Sequence, residues 1–592
     1  MLTRLNFISR RFSKAAHKLL FDMEKAYFKK APDNRCNITF RYTNDVHKID
    51  RVFNFSRDIN EKVVVALDRI KVNVEKELNK KLNKQKNKKK AKPEELKELP
   101  PPIDVEVTLL RNQEALKDVA FSELLSFEDI NSESLYSLKI LENNYNVVFN
   151  CPWVTEVKMP TSILANYFVY PSRLLLEYAD TDKSEIIWYK GLPKDDEEKI
   201  EWQQIGTGFT YLATSADIGY KLKVVVVPKN AEREGPAAEA ISKCEVQADP
   251  GSCPFDTRHL FTQDRCSGTK FRVVSYNLLA DLYADSETAK KELFPYCPEY
   301  ALNIDYRKQL FMKELIGYNA DLMCTQETDD KIFDLDLKPV FANRGMDGTF
   351  QAKGVTREGL ATFWNKNRFE LVEKHGMNIG EKVEKLPEFA HIWDNVKTNK
   401  ALWTRLVERS TALQVTLLRV KDSNKLLLVA NTHLYFHPDA DHIRLLQIGL
   451  SMLFIENYRK ELKTRFPNDQ IALVFCGDFN SVPECGIYKL MTEKFVPQDF
   501  IDWNSNEEQA VKGLELRQPF DMKSAYSPEL AFTNFTPHFT ATLDYIFYES
   551  DKLEVNEVIP TPSAEELHPH VAIPSIVCPS DHVALVANLD WK

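Results

Sequence analysis

The most constraining feature of this chain is a series of apolar, strand-like runs within residues 270–592 that deliver polar side chains at their ends. Phe271–Leu279 predicts a buried strand that ends at Asn277, and Asp321–Glu327 predicts another that ends at Glu327. Ile304–Tyr318, between them, repeats apolar residues at helical spacing. Strands that alternate with helices are typical of an α/β fold. The alternation continues with predicted strands at Lys425–Phe436, Ile471–Asn480, Leu543–Tyr548 and Val583–Leu589 and a long helix at Asp439–Arg465.

Six polar side chains lie at or beside the ends of these strands, and two histidines accompany them. A carboxylate beside a buried strand is costly unless it is hydrogen-bonded, paired or metal-bound. Taken singly, each residue is equally consistent with a helix cap, a turn or a core histidine. Taken together, they predict a single site. The eight residues are Asn277, Glu327, Asp478, Asn480, Asp544, Asp581, His433 and His582.

The residue types of this set indicate its chemistry. Oxygen ligands without cysteine favour a hard cation, Mg²⁺ or Mn²⁺, over zinc. A hard cation, carboxylates and histidine together suit hydrolysis of a phosphate ester. The metal offsets developing negative charge, a carboxylate orients or deprotonates water, and a protonated histidine donates to a phosphoryl oxygen.

Composition bounds the remaining possibilities. A chain of 592 residues with 43% hydrophobic and 28% charged residues is globular and long enough for several domains. No apolar run approaches the roughly 20 residues that span a bilayer, so no membrane partner is expected. Ten cysteines without a Cys-x-x-Cys pair indicate neither a disulfide framework nor a zinc finger. The net charge of −9 argues against a protein that coats nucleic acid non-specifically.

The N-terminal half is predicted to be β-rich, with short alternating runs separated by turn residues. This pattern is typical of antiparallel strands in a sandwich, and we find no catalytic constellation among them. The runs are Ile38–Tyr42, Val63–Leu67, Val105–Leu110, Tyr145–Phe149 and Leu222–Val227.

Residues 1–20 carry five basic residues and no acidic one, with apolar residues that can share a helical face. A basic, acid-free amphipathic start is typical of a mitochondrial transit peptide, and the alternative is a basic helix on the folded protein. Residues 76–92 are dominated by lysine and precede three prolines. Such a run is normally a solvated, disordered loop, and an RNA-tethering arm is the sharper alternative.

The sequence thus divides into a transit peptide at 1–20, a β-rich domain at 21–255 with a disordered loop near 76–102, a linker at 256–269 and a catalytic domain at 270–592. The catalytic domain holds most of the acidity: residues 268–592 carry 36 Lys+Arg and 47 Asp+Glu, which gives 36 − 47 = −11.

Six short motifs in fixed order carry a family resemblance. They resemble the motif set of the exonuclease–endonuclease–phosphatase superfamily, and fuller strings such as EGLATF, NTHLYFHP and FCGDFNS resemble its deadenylase branch. The strings ADIGYKL and PGSCPFDTRHLFT extend the similarity upstream. The motifs are Ser275-Tyr276-Asn277, Gln326-Glu327, Asn431-Thr432-His433-Leu434, Gly477-Asp478-Phe479-Asn480, Leu543-Asp544-Tyr545 and Ser580-Asp581-His582.

This resemblance implies a two-sheet α/β sandwich that uses one or two Mg²⁺ ions, with Mn²⁺ as a substitute. It implies cleavage of adenylate chains, both 2′,5′-linked oligoadenylate and 3′,5′-linked poly(A), from the end with the free hydroxyl, with release of AMP. No obligate protein partner is implied, and the leader would direct the enzyme to the mitochondrial matrix.

The resemblance also implies roles for individual residues. Glu327 would be the principal metal ligand, with Asn277 and Asp581 beside it. Asp478 and Asn480 would position or activate water, while His582, paired with Asp544, and His433 would stabilise the transition state. The substrate would be bound by Phe539 and Pro438, which would stack on the two faces of an adenine, together with Asn431.

Two alternatives remain from the sequence. The chain could be another phosphoesterase of the superfamily, such as a phosphoinositide phosphatase or an abasic endonuclease. It could also be a catalytically silent RNA-binding protein in which the β-rich half acts.

Overall fold

The computed structural model describes residues 24–80, 101–116, 118–127, 130 and 135–592, together with the backbone of 18–20. Residues 1–17 of the predicted leader and 81–100 of the lysine-rich segment lie outside the described residues. The chain divides into two compact units. One comprises 1–159, 171–208 and 220–243, and the other comprises 160–170, 209–219 and 244–592.

The first unit is rich in β-structure, as the sequence predicts. A seven-stranded sheet has its strands in the spatial order Ile49–Asp58, Arg35–Asn44, Lys25–Ala31, Asn143–Phe149, Tyr136–Ile140, Val107–Arg111 and Glu114–Ala115. A five-stranded sheet has the order Lys18–Leu20, Ala237–Glu245, Lys221–Val227, Glu185–Gly191 and Gln203–Thr207. Trp153–Lys158 and Arg173–Glu177 form a further antiparallel pair.

One predicted strand of this half is wrong. Val63–Leu67 begins a 16-residue helix, Val63–Leu78, and not a strand. Its buried positions are Val63, Ala66, Leu67, Ile70, Val74 and Leu78. Their spacing of three and four residues is that of a helix, and it becomes visible only when the window extends beyond the three consecutive valines at its start. Lys76, at the start of the lysine-rich run, lies in the last turn of this helix.

The second unit contains two six-stranded sheets. The first sheet has the order Met346–Ala352, Glu358–Asn365, Leu322–Asp329, Phe271–Asn277, Leu585–Trp591 and Leu553–Val558. The second has the order Phe369–Asn378, Ala412–Val420, Lys425–His433, Gln470–Asp478, Asp544–Glu549 and Met522–Ser524.

One continuous core joins facing residues of the two sheets, among them Val273 and Leu322 from the first and Val429 and Val474 from the second. The opposite face of the second sheet packs on the long helix Asp441–Arg465 through a separate core. The sheets therefore form a sandwich with helices outside, which confirms the predicted fold class. The α-helices of this unit are Pro254–His259, Asp281–Ala284, Glu299–Leu302, Ile304–Gly317, Asp330–Ile332, Lys338–Ala342, Ile379–Lys382, Ala390–Val396, Lys400–Glu408, Asp441–Arg465, Gly486–Glu493 and Ala564–Leu567.

The strand pairings collect the polar strand ends at one edge of the sandwich. Phe271–Asn277 runs parallel to Leu322–Asp329, with Asn277 opposite Gln326. Lys425–His433 runs parallel to Gln470–Asp478, with His433 opposite Asp478. Asp478 in turn lies opposite Asp544 on an antiparallel neighbour. Parallel strands end at the same edge of a sheet, so this register places the motif residues together.

The segment 256–269, which we expected to be a linker, lies within the second unit and includes most of the helix Pro254–His259. In the part of the chain that the structure describes, no helix is both long and apolar enough to cross a membrane.

Candidate active site

Asp478 lies at the centre of the polar cluster. Its Oδ2 accepts a hydrogen bond from Asn277 Nδ2 at 3.0 Å and lies 3.6 Å from both His433 Nε2 and His582 Nε2. Its Oδ1 accepts from the backbone N–H of Asn480 at 2.9 Å. Burial, and next the charge of Asp544, raises the pKa of Asp478 to about 6. The carboxylate is therefore mostly ionised at neutral pH but still basic enough to accept a proton from water.

Glu327 is held in an unusual backbone conformation. It lies where the pairing between its strand and Glu358–Asn365 shifts register, and its φ of +49° is in the left-handed region that non-glycine residues rarely adopt. Oε2 accepts from Ala280 N–H at 2.9 Å, and Asn277 Nδ2 lies 3.1 Å from Oε1. Burial, and next Asp581 and Glu358, raises the pKa of Glu327 to about 7.

His582 and Asp544 form a buried pair, with Nδ1 2.7 Å from Oδ2. Burial alone would lower the pKa of His582, but the charges of Asp544, Asp478 and Asp581 outweigh burial and raise it well above its ordinary value. The ring is therefore a cation at neutral pH, and its Nε2–H faces Asp478. A charged donor next to a candidate base is the arrangement needed to bind a phosphoryl oxygen.

His433 is buried in the opposite protonation state. Burial, and next Lys353 and His582, lowers the pKa of His433 well below its ordinary value. Lys353 Nζ lies 3.2 Å from His433 Nδ1. A lysine ammonium can only donate, so Nδ1 is the acceptor and the proton of the neutral ring is on Nε2, which faces Asp478.

Asp581 and Phe539 belong to one connected loop system. Asn534 Nδ2 donates to the backbone oxygen of Asp581 at 3.1 Å, and Asn534 also forms a β-bridge with His582. Asn534–Phe535 pairs with Thr540–Ala541, and Phe539 lies in the turn between them with 48% of its surface exposed. The hairpin that carries Phe539 is thus hydrogen-bonded, through Asn534, to the loop of Asp581, and the ring of Phe539 is open to solvent.

The other predicted residues differ in how they are placed. Pro438 is exposed on the loop that follows His433, as a stacking residue must be. Asn480, at φ +49°, donates through Nδ2 to Leu434 O at 2.9 Å and so joins two site loops. Asn431 is fully buried: its Nδ2 donates to Thr325 O and Ala361 O, and its Oδ1 accepts from Gln326. These contacts indicate that Asn431 connects the strands on which the site lies. They give no support to its predicted contact with substrate.

Sequence reasoning did not single out two residues of the site, Lys353 and Glu358. Glu358 Oε1 lies 3.6 Å from Lys353 Nζ, and its buried Oε2 has no hydrogen-bond partner among the described residues. The signal was present in the string EGLATF, where Glu358 begins a strand whose eight residues are all buried. A carboxylate at such a position is as costly as those that the sequence did identify.

The donor set fits a divalent cation. Asp478, Asp544 and His582 can bring one ligand atom each within 4.8 Å of one another. However, His582 Nδ1 is hydrogen-bonded to Asp544 and the ring is cationic. A ring with a proton on both nitrogens has no lone pair for a metal, so His582 is a poor metal ligand. Glu327 fits better, because Asp581 and Glu358 crowd its carboxylate and a cation would offset that repulsion. Glu327, with Asn277 and Asp581 beside it, therefore stays the predicted ligand set.

Comparisons with known proteins give the family. Residues 274–582 match the model of the endonuclease/exonuclease/phosphatase family, and residues 151–247 match that of the 2′,5′-phosphodiesterase 12-like N-terminal domain. The chain is 40% identical to 2′,5′-phosphodiesterase 12 of Rattus norvegicus over 471 residues, which cover 77% of this chain and 76% of that protein. The Homo sapiens protein of that name is 39% identical with the same coverage. The CCR4-Not complex 3′-5′-exoribonuclease subunit Ccr4 of Schizosaccharomyces pombe is 30% identical over 55% of this chain and 49% of its own length.

Proposed function

The chain belongs to the endonuclease/exonuclease/phosphatase family and, within it, to the 2′,5′-phosphodiesterase 12 group, and we propose that it removes AMP stepwise from 2′,5′-linked oligoadenylate and from 3′,5′-linked poly(A). It is an enzyme of the phosphodiesterase and exoribonuclease class. The observation that carries the substrate proposal is a complete acidic–histidine site beside the exposed ring of Phe539. That ring offers a stacking face to a base, which an inositol phosphate lacks.

The proposed reaction gives each side chain a task that the described contacts support. Asp478 accepts the proton of the attacking water, and Asn277 Nδ2 and Asn480 N–H fix the orientation of its two oxygens. His582, held by Asp544, donates from Nε2 to a phosphoryl oxygen. Neutral His433, at the end of the strand beside Asp478, offers a second Nε2–H. The contact of Lys353 with Nδ1 fixes the tautomer of this ring. Asp544 and Lys353 hold the two rings through hydrogen bonds, and donors that are held in place in this way stabilise a transition state best.

We propose Mg²⁺ as the metal, held by Glu327 with Asn277 and Asp581 beside it. When bound, such an ion polarises the phosphoryl group and offsets the charge that develops on it. The all-oxygen character of these ligands supports a hard cation, for which Mn²⁺ is the natural substitute.

Two other functions make different predictions. A phosphoinositide phosphatase or an abasic endonuclease would use the same acidic and histidine residues but would not need Phe539. A silent RNA-binding protein would not need the pairing of Asp544 with His582, and the intact Glu327, Asp478 and His582 argue against it.

One assay separates these possibilities. The purified full-length chain is incubated with Mg²⁺ and, separately, 2′,5′-triadenylate, poly(A), poly(U) and an inositol polyphosphate, and AMP and phosphate are measured. We expect AMP from both adenylates, much less product from poly(U), and no phosphate from the inositol compound. The proposal fails if neither adenylate yields AMP.

We also propose the mitochondrial matrix as the location, on the basic, acid-free composition of residues 1–20. Residues 1–30 fused to a fluorescent reporter should direct it to mitochondria. Diffuse fluorescence throughout the cytosol would contradict the proposal.

A further inference from the structure

A basic cleft of about 720 Å³ lies next to the candidate active site in the second unit. Its floor and walls come from the helix Lys400–Glu408, from the loop that follows His433, and from the segment near residue 506. Tyr435 lines the cleft two residues after His433. Consecutive Cα atoms are 3.8 Å apart, so the two Cα atoms are separated by no more than about 7.6 Å.

The helix presents charged side chains to the cleft at regular spacing. Lys400, Thr404 and Glu408 are four residues apart along the helix, whereas Leu402 and Leu406 are buried on the other side. Arg405 also lies on the helix, and Arg409 directly follows the last helical residue in extended backbone. Residues four apart lie on the same helical face. The cleft therefore collects three permanent cations against two carboxylates, Glu408 and Asp439, in a domain that is strongly acidic as a whole.

Within the described part of the chain, two of these cations are not paired with a carboxylate. Arg405 is paired with Asp439 at 2.6 Å and also contacts Gln509 at 3.0 Å. In contrast, Arg409 and Lys400 are exposed, and no ion pair to either is present among the described residues. The Arg409 guanidinium lies over the ring of Tyr435, 5.1 Å from its centroid, which orders it without neutralising it.

The loop beneath these groups is rigidly anchored. Arg444 Nη1 donates to the backbone oxygens of Tyr435 and His437 at 3.2 and 2.8 Å, and the rings of Tyr435 and His437 are nearly parallel, at 16°. Asn506 Nδ2 donates to Asp439 at 2.8 Å. These hydrogen bonds fix the loop that carries Tyr435, over whose ring Arg409 lies, and Lys400 is exposed on the helix beside it.

We propose that Arg409 and Lys400 bind a phosphate group of the oligoadenylate upstream of the nucleotide that is cleaved. A guanidinium with free donors binds phosphate oxygens bidentately, and phosphate contacts position a chain without reading its sequence. The phosphate is either an internucleotide group or a phosphate on the 5′ end. This inference rests on the proposed function, because it assigns the binding of that substrate outside the catalytic cluster.

The test compares substrate lengths. AMP release is measured from 2′,5′-diadenylate and 2′,5′-tetraadenylate with the unmodified chain, Arg409→Gln, Lys400→Gln and the control Lys463→Gln. Lys463 is an exposed lysine on the helix Asp441–Arg465 and does not line the cleft. We expect about a fivefold rise in KM for the tetramer with either cleft variant, little change with diadenylate, and no effect of Lys463→Gln.

Salt dependence supplies an independent readout. The logarithm of single-strand binding constants falls with the logarithm of salt concentration by about 0.7 per phosphate contact, so Arg409→Gln should reduce the slope for the tetramer by about 0.7. Tetramers with and without a 5′-phosphate distinguish the two sources of the phosphate. Equal KM values and equal salt slopes for all variants on both tetramers would overturn the proposal.

A binding measurement separates this proposal from the proposed function. The Asp478→Asn chain, which should bind without turnover, is titrated with tetraadenylate by calorimetry with and without Arg409→Gln. Weaker binding on addition of Arg409→Gln supports the cleft even if the unmodified chain releases no AMP. Unchanged binding contradicts the cleft even if the chain is an active enzyme.

Discussion

Replacing Asp544 by Asn should move the alkaline limb of the pH profile to lower pH. Asp544 Oδ2 lies 2.7 Å from His582 Nδ1, and the pair is buried. Two unit charges about 4 Å apart interact by about 4 kcal/mol at an effective dielectric constant of ~20, and the charge of Asp544 is the largest contribution that raises the pKa of His582. Asn keeps a hydrogen-bond acceptor at this position but loses the charge. With that charge gone, the pKa of His582 falls, because burial still lowers it and only Asp478 and Asp581 still raise it.

The direction of the shift follows from the protonation state that the reaction needs. His582 must be protonated to donate to the phosphoryl oxygen, and its raised pKa keeps it protonated well above neutral pH. In Asp544→Asn, the ring loses its proton at lower pH. We expect kcat to fall by about 100-fold or more at pH 8.5 but by only about tenfold at pH 6, since removing general acid or base assistance costs ~10²–10⁴.

The assay is AMP release from 2′,5′-triadenylate between pH 5.5 and 9.5 at saturating metal, with thermal melting to establish that the variant folds. Asp502→Asn is a matched control. Asp502 is also a buried carboxylate of the same unit, with a pKa that burial raises to about 6, and it accepts from Gly486 N–H. Its replacement should leave the alkaline limb in place. An alkaline limb that does not move in Asp544→Asn, or a loss of equal size at every pH, would refute the proposed role of the pair.

Three further predictions concern other parts of the site. Glu327→Gln should abolish AMP release. In metal-free buffer at pH 8, the same substitution should increase the free energy of unfolding, measured by urea denaturation, by up to about 3 kcal/mol. The pKa of Glu327 is about 7 in the folded state and 4.5 in the unfolded state. The folded state therefore loses stability as the pH rises from 4.5 to about 7, and Gln, which does not ionise, removes this loss. An unchanged unfolding free energy would contradict the raised pKa. Phe539→Ala should raise KM for triadenylate about 5- to 150-fold with kcat nearly constant, as expected for loss of ~1–3 kcal/mol of base stacking, and an unchanged KM would remove it from base binding. Lys353→Met should lower kcat about tenfold or more while Lys353→Arg retains most activity, because an arginine can also donate to His433 Nδ1. Nitrogen-15 shifts of the His433 ring should report a change of tautomer in Lys353→Met alone, and identical spectra would contradict the positioning role.

The catalytic unit was predictable because its strands are buried and continuous. Apolar runs of seven to nine residues fix both the strand and the position of the polar residue at its end, as at Asn277 and Asp478. Helical spacing likewise placed Ile304–Gly317 within one residue. In contrast, three consecutive valines at the start of Val63–Leu78 favour a strand locally, and tertiary packing of the helical face overrides that preference.

Contacts between distant loops could not be predicted. Lys353 meets His433 across 80 residues of sequence, and no periodicity connects the two. The left-handed backbone of Glu327 depends on a register shift against Glu358–Asn365, which is a property of the paired strands and not of either one alone. Asn431 shows the converse limit. The motif identifies Asn431 as important. Only the structure shows that its amide already forms hydrogen bonds with Thr325, Ala361 and Gln326.

The backbone conformation and the buried charges of the site lower the free energy of unfolding. The positive φ of Glu327 costs ~1–3 kcal/mol, and the raised pKa values of Glu327 and Asp478 show that the folded state disfavours their charges. The sandwich core on which these strands lie must offset this cost. A cation that binds only the folded chain would offset more of it, in proportion to the logarithm of its concentration over its dissociation constant. Part of the acidity of residues 268–592 is therefore the charge of the proposed cation site. Under the two proposals above, a bound cation, His582 and the guanidinium of Arg409 would present positive charge to the phosphates of an anionic substrate in this acidic domain.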